Sequence, residues 1–391
     1  MKRKLCALAA IVLLVSMLSG TAVAENGVRS LTLEEAINLA MVNNDQVELN
    51  RLSVDKAKLK LEQDKYAAKK LDEDFVTSFD AAYLKYILPV ISQMNLTLAE
   101  AKARLSDDAL KLEVEKAYYE LLKKQADLQN ATNALDRAKE QLRIAQASFK
   151  AGVLAKSEVI GAEVLVASKE AALLTAQNEY DKANMSLAKS LGLPLDTKIE
   201  PAGTFSFEPV KIDLAKEIEK GLQNDVEVIG AREGLKVAEA TLEQAKRFYT
   251  PNVFMYREAE YGLEEAKVTL RQKEKAVELK IRQAYLDLQS AEKAYQTLEK
   301  SLASARETYR VAKLKFEAGV ATRLEMEKAA DSLSEQEAGV QEMLYNYNLA
   351  AAQFRYGLFL GGSTAAAGMS TGAMAAPAGA AGSTAPFGGG M

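Results

Sequence analysis

The sequence predicts an all-α protein built of long antiparallel coiled-coil helical hairpins in two tandem repeats, with little or no β structure. Three observations carry this expectation. Proline is missing from Val90 to Leu193 and from Asn252 to Ala376, and Ala, Leu, Glu, Lys and Gln, the strong helix formers, dominate there. Apolar residues recur every seven positions along both spans. The stretch FKAGVLAKSEV at 149–159 returns as FEAGVATRLEM at 316–326, an offset of 167 residues.

Residues 1–24, MKRKLCALAAIVLLVSMLSGTAVA, read as a secretory signal peptide. Three basic residues precede an apolar run, and Ala22-Val23-Ala24 has the small-x-small pattern of a cleavage site. The run from Leu5 to Leu18 is shorter than the roughly 20 residues of a spanning helix, which disfavours a transmembrane anchor. Cys6 is the one cysteine and lies inside the signal, so the mature chain has no disulfide and rests on packing.

The first helical repeat is expected over 30–195. TLEEAINLAMVNNDQVELNR at 32–51 resembles DLAKEIEKGLQNDVEVIGAR at 213–232, and each reads as a short helix pair opening a repeat. A long helix is expected from about Leu98 to Ala151, on the order of 80 Å at 1.5 Å per residue. Leu121, Leu128, Leu135, Leu142 and Phe149 form one seam of it, and Ala117, Ala131, Ala138 and Ala145 a second. Their alternating spacing of three and four is the a/d pattern of a coiled coil. Gly152 then supplies the residue that most cheaply takes a left-handed conformation at a helix end, so the chain is expected to fold back there. Ser157 is a candidate cap for the return helix, whose seam runs through Val159, Val166, Leu173, Tyr180 and Leu187. Gly192-Leu193-Pro194 closes the repeat, and 196–212, holding Pro201 and Pro209, reads as a linker.

The second repeat, 213–360, follows the same plan. Its long helix carries Leu288, Tyr295, Leu302, Tyr309 and Phe316 with Ala284, Ala291, Leu298, Ala305 and Ala312. Gly319 makes the turn, Thr322 is the candidate cap, and Met326, Leu333, Val340, Tyr347 and Phe354 line the return helix. Residues 361–391 are Gly, Ala, Ser, Thr and Met without periodicity; they bury too little to offset ordering entropy and are expected to be disordered.

Composition excludes whole classes of function. The signal holds three basic and no acidic residues, so the mature chain carries 47 basic and 54 acidic residues, a net charge of −7. A nucleic-acid binder would show a basic face instead. There is no histidine, which removes histidine metal sites and imidazole acid–base chemistry. No G-x-S-x-G, Walker A or G-x-G-x-x-G motif occurs. Carboxylates alternate with Lys and Arg, the pattern of a solvated helix face. Neither an enzyme nor a metal or cofactor site is expected.

The order of these segments resembles the TolC family of outer-membrane efflux ducts. SLTLEEAINLAMVNND, KAYYELL, RQAYLDL, FKAGVLAKSEVIGAEV, FEAGVATRLEMEKA and LAKSLGLPL carry the resemblance, which covers roughly 30–360. It implies a homotrimer whose twelve helical columns curve into a hollow α-barrel. It also implies a passive conduit in the outer membrane, docked on a periplasmic adaptor (membrane fusion) protein and an inner-membrane transporter for efflux or type I secretion. The matching tip positions are Gly152, Val153, Leu154, Gly319 and Val320. The family's acidic gate falls six residues past the second glycine, at Glu325 here, with Glu158 its first-repeat counterpart. Three residues beyond Glu325 the family has a second acid, and this chain has Lys328. Both glutamates also suit the first turn of a helix, where the macrodipole favours an acid, so gate and helix-start readings both stand.

The resemblance breaks where the family places membrane hairpins. A membrane strand needs about 9–11 residues. Between Phe248 and Tyr261 only YTPNVFMYREAE intervenes, and the alternation of 72–95 is poor. Six strands from three chains fall below the eight of small membrane barrels. The chain is therefore expected to lack the ordinary barrel, with its membrane attachment undetermined. Two functional readings follow: a duct, or a non-conducting coiled-coil envelope spacer built on the same scaffold.

Overall fold

In the computed structural model, residues 28–203 and 207–359 are described. The expected signal peptide 1–24 and disordered tail 361–391 lie outside them. The first repeat comprises β1 (Val28–Leu31), α1 (Leu33–Asn43), α2 (Asp45–Lys70), α3 (Leu88–Lys150) and α4 (Lys156–Ser190). β2 (Lys198–Pro201) lies in the expected linker and pairs in parallel with β1, Val28 opposite Lys198 and Leu31 opposite Pro201. The second repeat comprises α5 (Leu214–Asn224), α6 (Val226–Phe248), α7 (Phe254–Glu317) and α8 (Arg323–Tyr356). The repeats match in length: α3 has 63 residues and α7 has 64, α4 has 35 and α8 has 34.

Capping chemistry sets the helix starts. Thr32 closes a capping box on Glu35 to begin α1. Asn44 caps α2 through Gln46 N–H at 2.9 Å, and its Nδ2 donates to Ser190 O at 2.9 Å, tying the α1–α2 corner to the end of α4. Asp225 caps α6 in the equivalent place, accepting from Glu227 N–H at 2.8 Å. Thr322 caps α8 as expected, whereas α4 starts after Ala155, which provides no side-chain cap, and Ser157 sits inside the helix. Ala155 occupies the repeat position of Thr322, so the turn geometry fixes the start and the residue there decides whether it is capped.

The span 72–95 holds no strand and is continuously helical from Phe79 on. A 3-10 turn at Glu73–Phe75 and a helical turn at Phe79–Ala82 lead through a π turn, Tyr83–Ile87, directly into α3. Pro89 lacks the N–H that would serve Lys85 O, and the wide turn before it, with Leu88 N–H donating to Tyr83 O, absorbs that loss. The long helix therefore begins ten residues earlier than Leu98. In the second repeat, Tyr249–Val253 alone separates α6 from α7. Among the described residues the only strands are β1 and β2, and no helix is long and apolar enough to cross a membrane.

The predicted seams are the packing faces. Leu121, Leu135 and Ala138 on α3 and Leu288, Ala291, Tyr295 and Leu302 on α7 are buried, as are Leu187, Tyr347 and Phe354 on the return helices. Burial fades toward the turns, where Phe149 and Phe316 are exposed. The first core joins Ala36, Ala40, Val114, Tyr118, Leu121, Leu187 and Ile199; the second joins Val228, Val277, Ile281, Leu288, Tyr347 and Phe354. Tyr118 Oη donates to Leu31 O at 3.0 Å and accepts from Gly203 N–H at 2.9 Å. Tyr347 Oη donates to Glu208 O at 3.0 Å and accepts from Val210 N–H at 3.0 Å, so both flanks of the linker are pinned to a repeat.

The helices lie side by side as a strip. Near the ends of α2 and α6, the packing order is α2 on α3, α3 on α6, and α6 on α7. Toward the glycine turns it is α4 on α3, α3 on α8, and α8 on α7.

Candidate functional site

Each hairpin tip is one local motif. Helix α3 ends with Gly152 at φ +78°, and α7 with Gly319 at φ +73°. At the first tip, Gly152 N–H donates to Phe149 O at 2.9 Å and Val153 N–H to Ser148 O at 3.0 Å. At the second, Gly319 N–H donates to Phe316 O and Val320 N–H to Lys315 O, both at 2.9 Å. These are paired Schellman-type closures that satisfy the last carbonyls of each helix. A Cβ on either glycine would meet nothing within 4 Å, so backbone conformation alone selects glycine there.

Each turn pushes one valine into solvent: Val153 is 78% exposed and Val320 75%. Leu154 beside the first is half-buried. Neither valine packs on its own hairpin to any extent, so each turn presents a small apolar knob at the end of a rigid rod.

Glu325 is engaged in the capping box of α8. Thr322 N–H donates to Glu325 Oε2 at 2.8 Å, and Glu325 N–H donates to Thr322 Oγ1 at 3.3 Å. The Thr322 amide, then its hydroxyl, hold the exposed Glu325 carboxyl below the usual glutamate range. Lys315 and Lys328 add weaker attraction. Glu158 takes the same position in α4 and is exposed, with no capping partner at Ala155. The geometry of Glu325 is thus that of a first-turn acid, and its charge is secured whatever further use it has.

A cluster that sequence reasoning missed joins the two repeats. Glu115 on α3 is fully buried and accepts two hydrogen bonds from Arg355 Nη1 on α8, at 3.0 and 3.2 Å. Burial, reinforced by the Glu115 charge, pushes the Tyr119 hydroxyl far up and the Tyr356 hydroxyl up to about 12. Leu112, Ala352 and Leu358 pack beside it. Counted along the helices from this clamp, Gly152 is 37 residues on along α3 and Gly319 is 36 residues back along α8. Lengths of helix that differ by one residue therefore separate the clamp from each turn.

At the opposite ends of the rods, a groove of about 830 Å³ opens between α6 and the start of α7. Gly230, Gly234 and Gly262 give it a smooth floor, and Glu258 and Glu265 are among its lining residues. All four cation–ring contacts of the described residues lie at this end: Lys70 over Tyr66, Lys85 and Arg247 over Tyr86, and Arg257 over Tyr261.

Comparison with known proteins agrees with this architecture. Residues 91–193 match the profile of the family described as outer membrane efflux protein. No curated protein sequence matches the chain. The CmeC outer membrane channel of Campylobacter jejuni superposes with a TM-score of 0.64 at 12% identity, over 86% of this chain and 88% of that one. The outer membrane protein VceC of Vibrio cholerae gives 0.62 at 15% identity, over 82% and 95%. The open-state MtrE outer membrane channel of Neisseria gonorrhoeae gives 0.58 at 15% identity, over 83% and 88%. The paired rods and the glycine turns thus belong to a chain that shares the helical fold of these outer-membrane channels and is similar, over residues 91–193, to the outer membrane efflux protein family.

Proposed function

We propose that the protein is the duct component of a tripartite efflux or type I secretion system, a homotrimer whose hairpins form the wall of a hollow α-barrel. The turns at Gly152, Val153 and Leu154 and at Gly319 and Val320 dock on a periplasmic adaptor, which connects the duct to an inner-membrane transporter. Transport through the duct is passive and the partner pump supplies the energy. Glu325 and Glu158 are the candidate gate, three copies of each ringing the axis at the narrow end and favouring cations there. Two helical repeats, 30–195 and 213–360, joined by the linker 196–212, build the wall, and residues 1–24 direct export of the chain.

The observation that carries this reading is the pair of matched rods ending in two turns of the same glycine geometry, each with an unburied valine. A protein folding for itself has no use for two solvent-exposed knobs at nearly the same distance from one clamp. A docking end does. The strandless span 72–95 and the short turn at 249–253 favour one second reading, a non-conducting envelope spacer, because neither offers a membrane hairpin.

Imaging the purified mature chain by electron microscopy separates the two. A duct gives three-chain particles with an open centre in end view. Solid bundles or single rods would sink the duct and leave the spacer. Replacing both tip valines, Val153→Glu with Val320→Glu, is expected to abolish adaptor capture with helical content unchanged; capture that survives would remove the tips as the docking site.

A further inference from the structure

At the end of the rods away from the glycine turns, two connectors with their adjoining helix ends meet: residues 69–87, between α2 and α3, and 246–257, between α6 and α7. Eight of these 31 residues are aromatic, where the chain average of 7% would give about two. The Phe79 and Tyr249 rings lie 5.4 Å apart, and Arg247 stands over the Tyr86 ring at 5.9 Å, so the connectors form one surface. Phe75 is 72% and Phe254 85% exposed, the highest values of any phenylalanine among the described residues. Leu84, Val253 and Met255 of the same segments are exposed as well. A fold held by its own packing gains nothing from such side chains in water, and a clustered apolar patch marks an interaction site.

Charge and composition identify what covers it. The stretch KRFYTPNVFMYR at 246–257 holds three bases and no acid. In 69–87, Lys69, Lys70 and Lys85 accompany Asp72, Glu73, Asp74 and Asp80, and Tyr86 Oη donates to Glu73 Oε1 at 3.2 Å. Six bases thus stand against four acids on this surface, although the mature chain as a whole is acidic. The core of a protein–protein contact is depleted of charge. Here Lys85 and Arg247 stand over the Tyr86 ring, and Arg257 over Tyr261. Aromatic bodies with cationic heads beside them suit the boundary of water and lipid, where the ring sits at headgroup depth and the cation reaches a phosphate.

We propose that this end of the rods is a lipid-binding face. Phe75, Phe254 and Met255 enter one leaflet of an anionic phospholipid surface, and Lys246, Arg247 and Arg257 meet its phosphates. The attachment is peripheral, by apolar insertion together with charge, and uses neither a spanning helix nor a membrane strand. It serves a duct and a spacer alike, so it stands or falls separately from the conduit.

The mature chain has no tryptophan, so one placed on the face reports by itself. Phe254→Trp and, at the opposite end, Val320→Trp are mixed with vesicles of phosphatidylcholine, with and without phosphatidylglycerol. With the anionic lipid, the fluorescence of Phe254→Trp is expected to shift to the blue and to be quenched by lipids brominated on the acyl chain, and that of Val320→Trp to do neither. Flotation of the mature chain with the same vesicles is expected to weaken by at least about tenfold in Phe75→Ser with Phe254→Ser, and to weaken on raising the salt. Failure to float, equal binding to vesicles without phosphatidylglycerol, or an unquenched tryptophan in bound Phe254→Trp would each overturn the lipid face. A blue shift of Phe254→Trp that grows with protein concentration in the absence of vesicles would make the surface a protein contact and overturn it as well.

Discussion

Gly319 and Thr322, three residues apart, divide the labour of one turn. The glycine stops α7 by taking φ +73°, and the threonine starts α8. Gly319→Ala is expected to cost about 1–2 kcal/mol, entirely conformational, because the added Cβ meets nothing. Thermal unfolding of the mature chain measures it, and a neutral result would mean that the left-handed conformation is not held in solution. The first tip has the same turn without the cap, and Glu158 already waits at the third helical position. Ala155→Thr is therefore expected to complete a capping box and gain about 1 kcal/mol of helix stability, read as slower amide exchange over 156–160. The Thr322–Glu325 pair adds a pH dependence with a definite sign. Its carboxyl is lowered below the ordinary glutamate value near 4.5, so its contribution is complete above that value and disappears as pH falls through the lower folded-state value. Amide exchange at the start of α8 should accelerate in that acid window, and Glu325→Gln should flatten the profile; an unchanged profile would refute the capping role.

At the scale of elements, periodicity and turn chemistry were legible because both are local. Seven-residue spacing shows where a helix buries itself, and the seams through Leu121 and Leu288 are indeed the packed faces. Glycine marks where such a helix stops. The extension of α3 back to Leu88 was not legible, since AAYLKYILPVISQM suits helix and strand alike and Pro89 argues for a break. A π turn, invisible to a 3.6-residue template, reconciles the proline with continuous helix. The Ser157 cap failed for a similar reason: propensity names a good capping residue, but the turn, set by Gly152, places Ala155 there. Least legible was the clamp of α3 on α8, because Glu115 and Arg355 are 240 residues apart and each looks like an ordinary surface charge in its helix. Removing Arg355 leaves a fully buried carboxylate without its charge partner, held by the Tyr119 and Tyr356 hydroxyls alone. Arg355→Ala should cost roughly 2–3 kcal/mol, less than the loss of a wholly buried pair because the guanidinium is half-exposed. Glu115→Gln with Arg355→Leu should recover part of it. Denaturant midpoints check both, and equal stability of the Arg355→Ala variant would mean that the ion pair adds nothing net to the joining of the repeats.

The whole molecule is the sum of two rods that cannot fold back on themselves, and this sets a dimension that chemistry at the sites cannot alter. A helix of 63 residues is about 95 Å long at 1.5 Å per residue, and α7 is as long. Each is flanked along one half by the helix before it and along the other by its return helix, so no element crosses the rods to shorten them. A compact chain of this length would have a radius of gyration of about 21 Å. A rod of the length of α3 with a few helices of width has one near 29 Å by its moment of inertia alone, from the rise per residue. Small-angle scattering of the mature chain at concentrations that keep it monomeric should therefore give a radius well above 21 Å and a distance distribution skewed to a tail near 100 Å. The tip substitution Gly152→Ala should leave that tail in place, because neither rod depends on the turn for its length. A symmetric distribution with a radius close to 21 Å would mean that the hairpins collapse on each other in isolation, and a wall built of them would then have to form only as the copies meet.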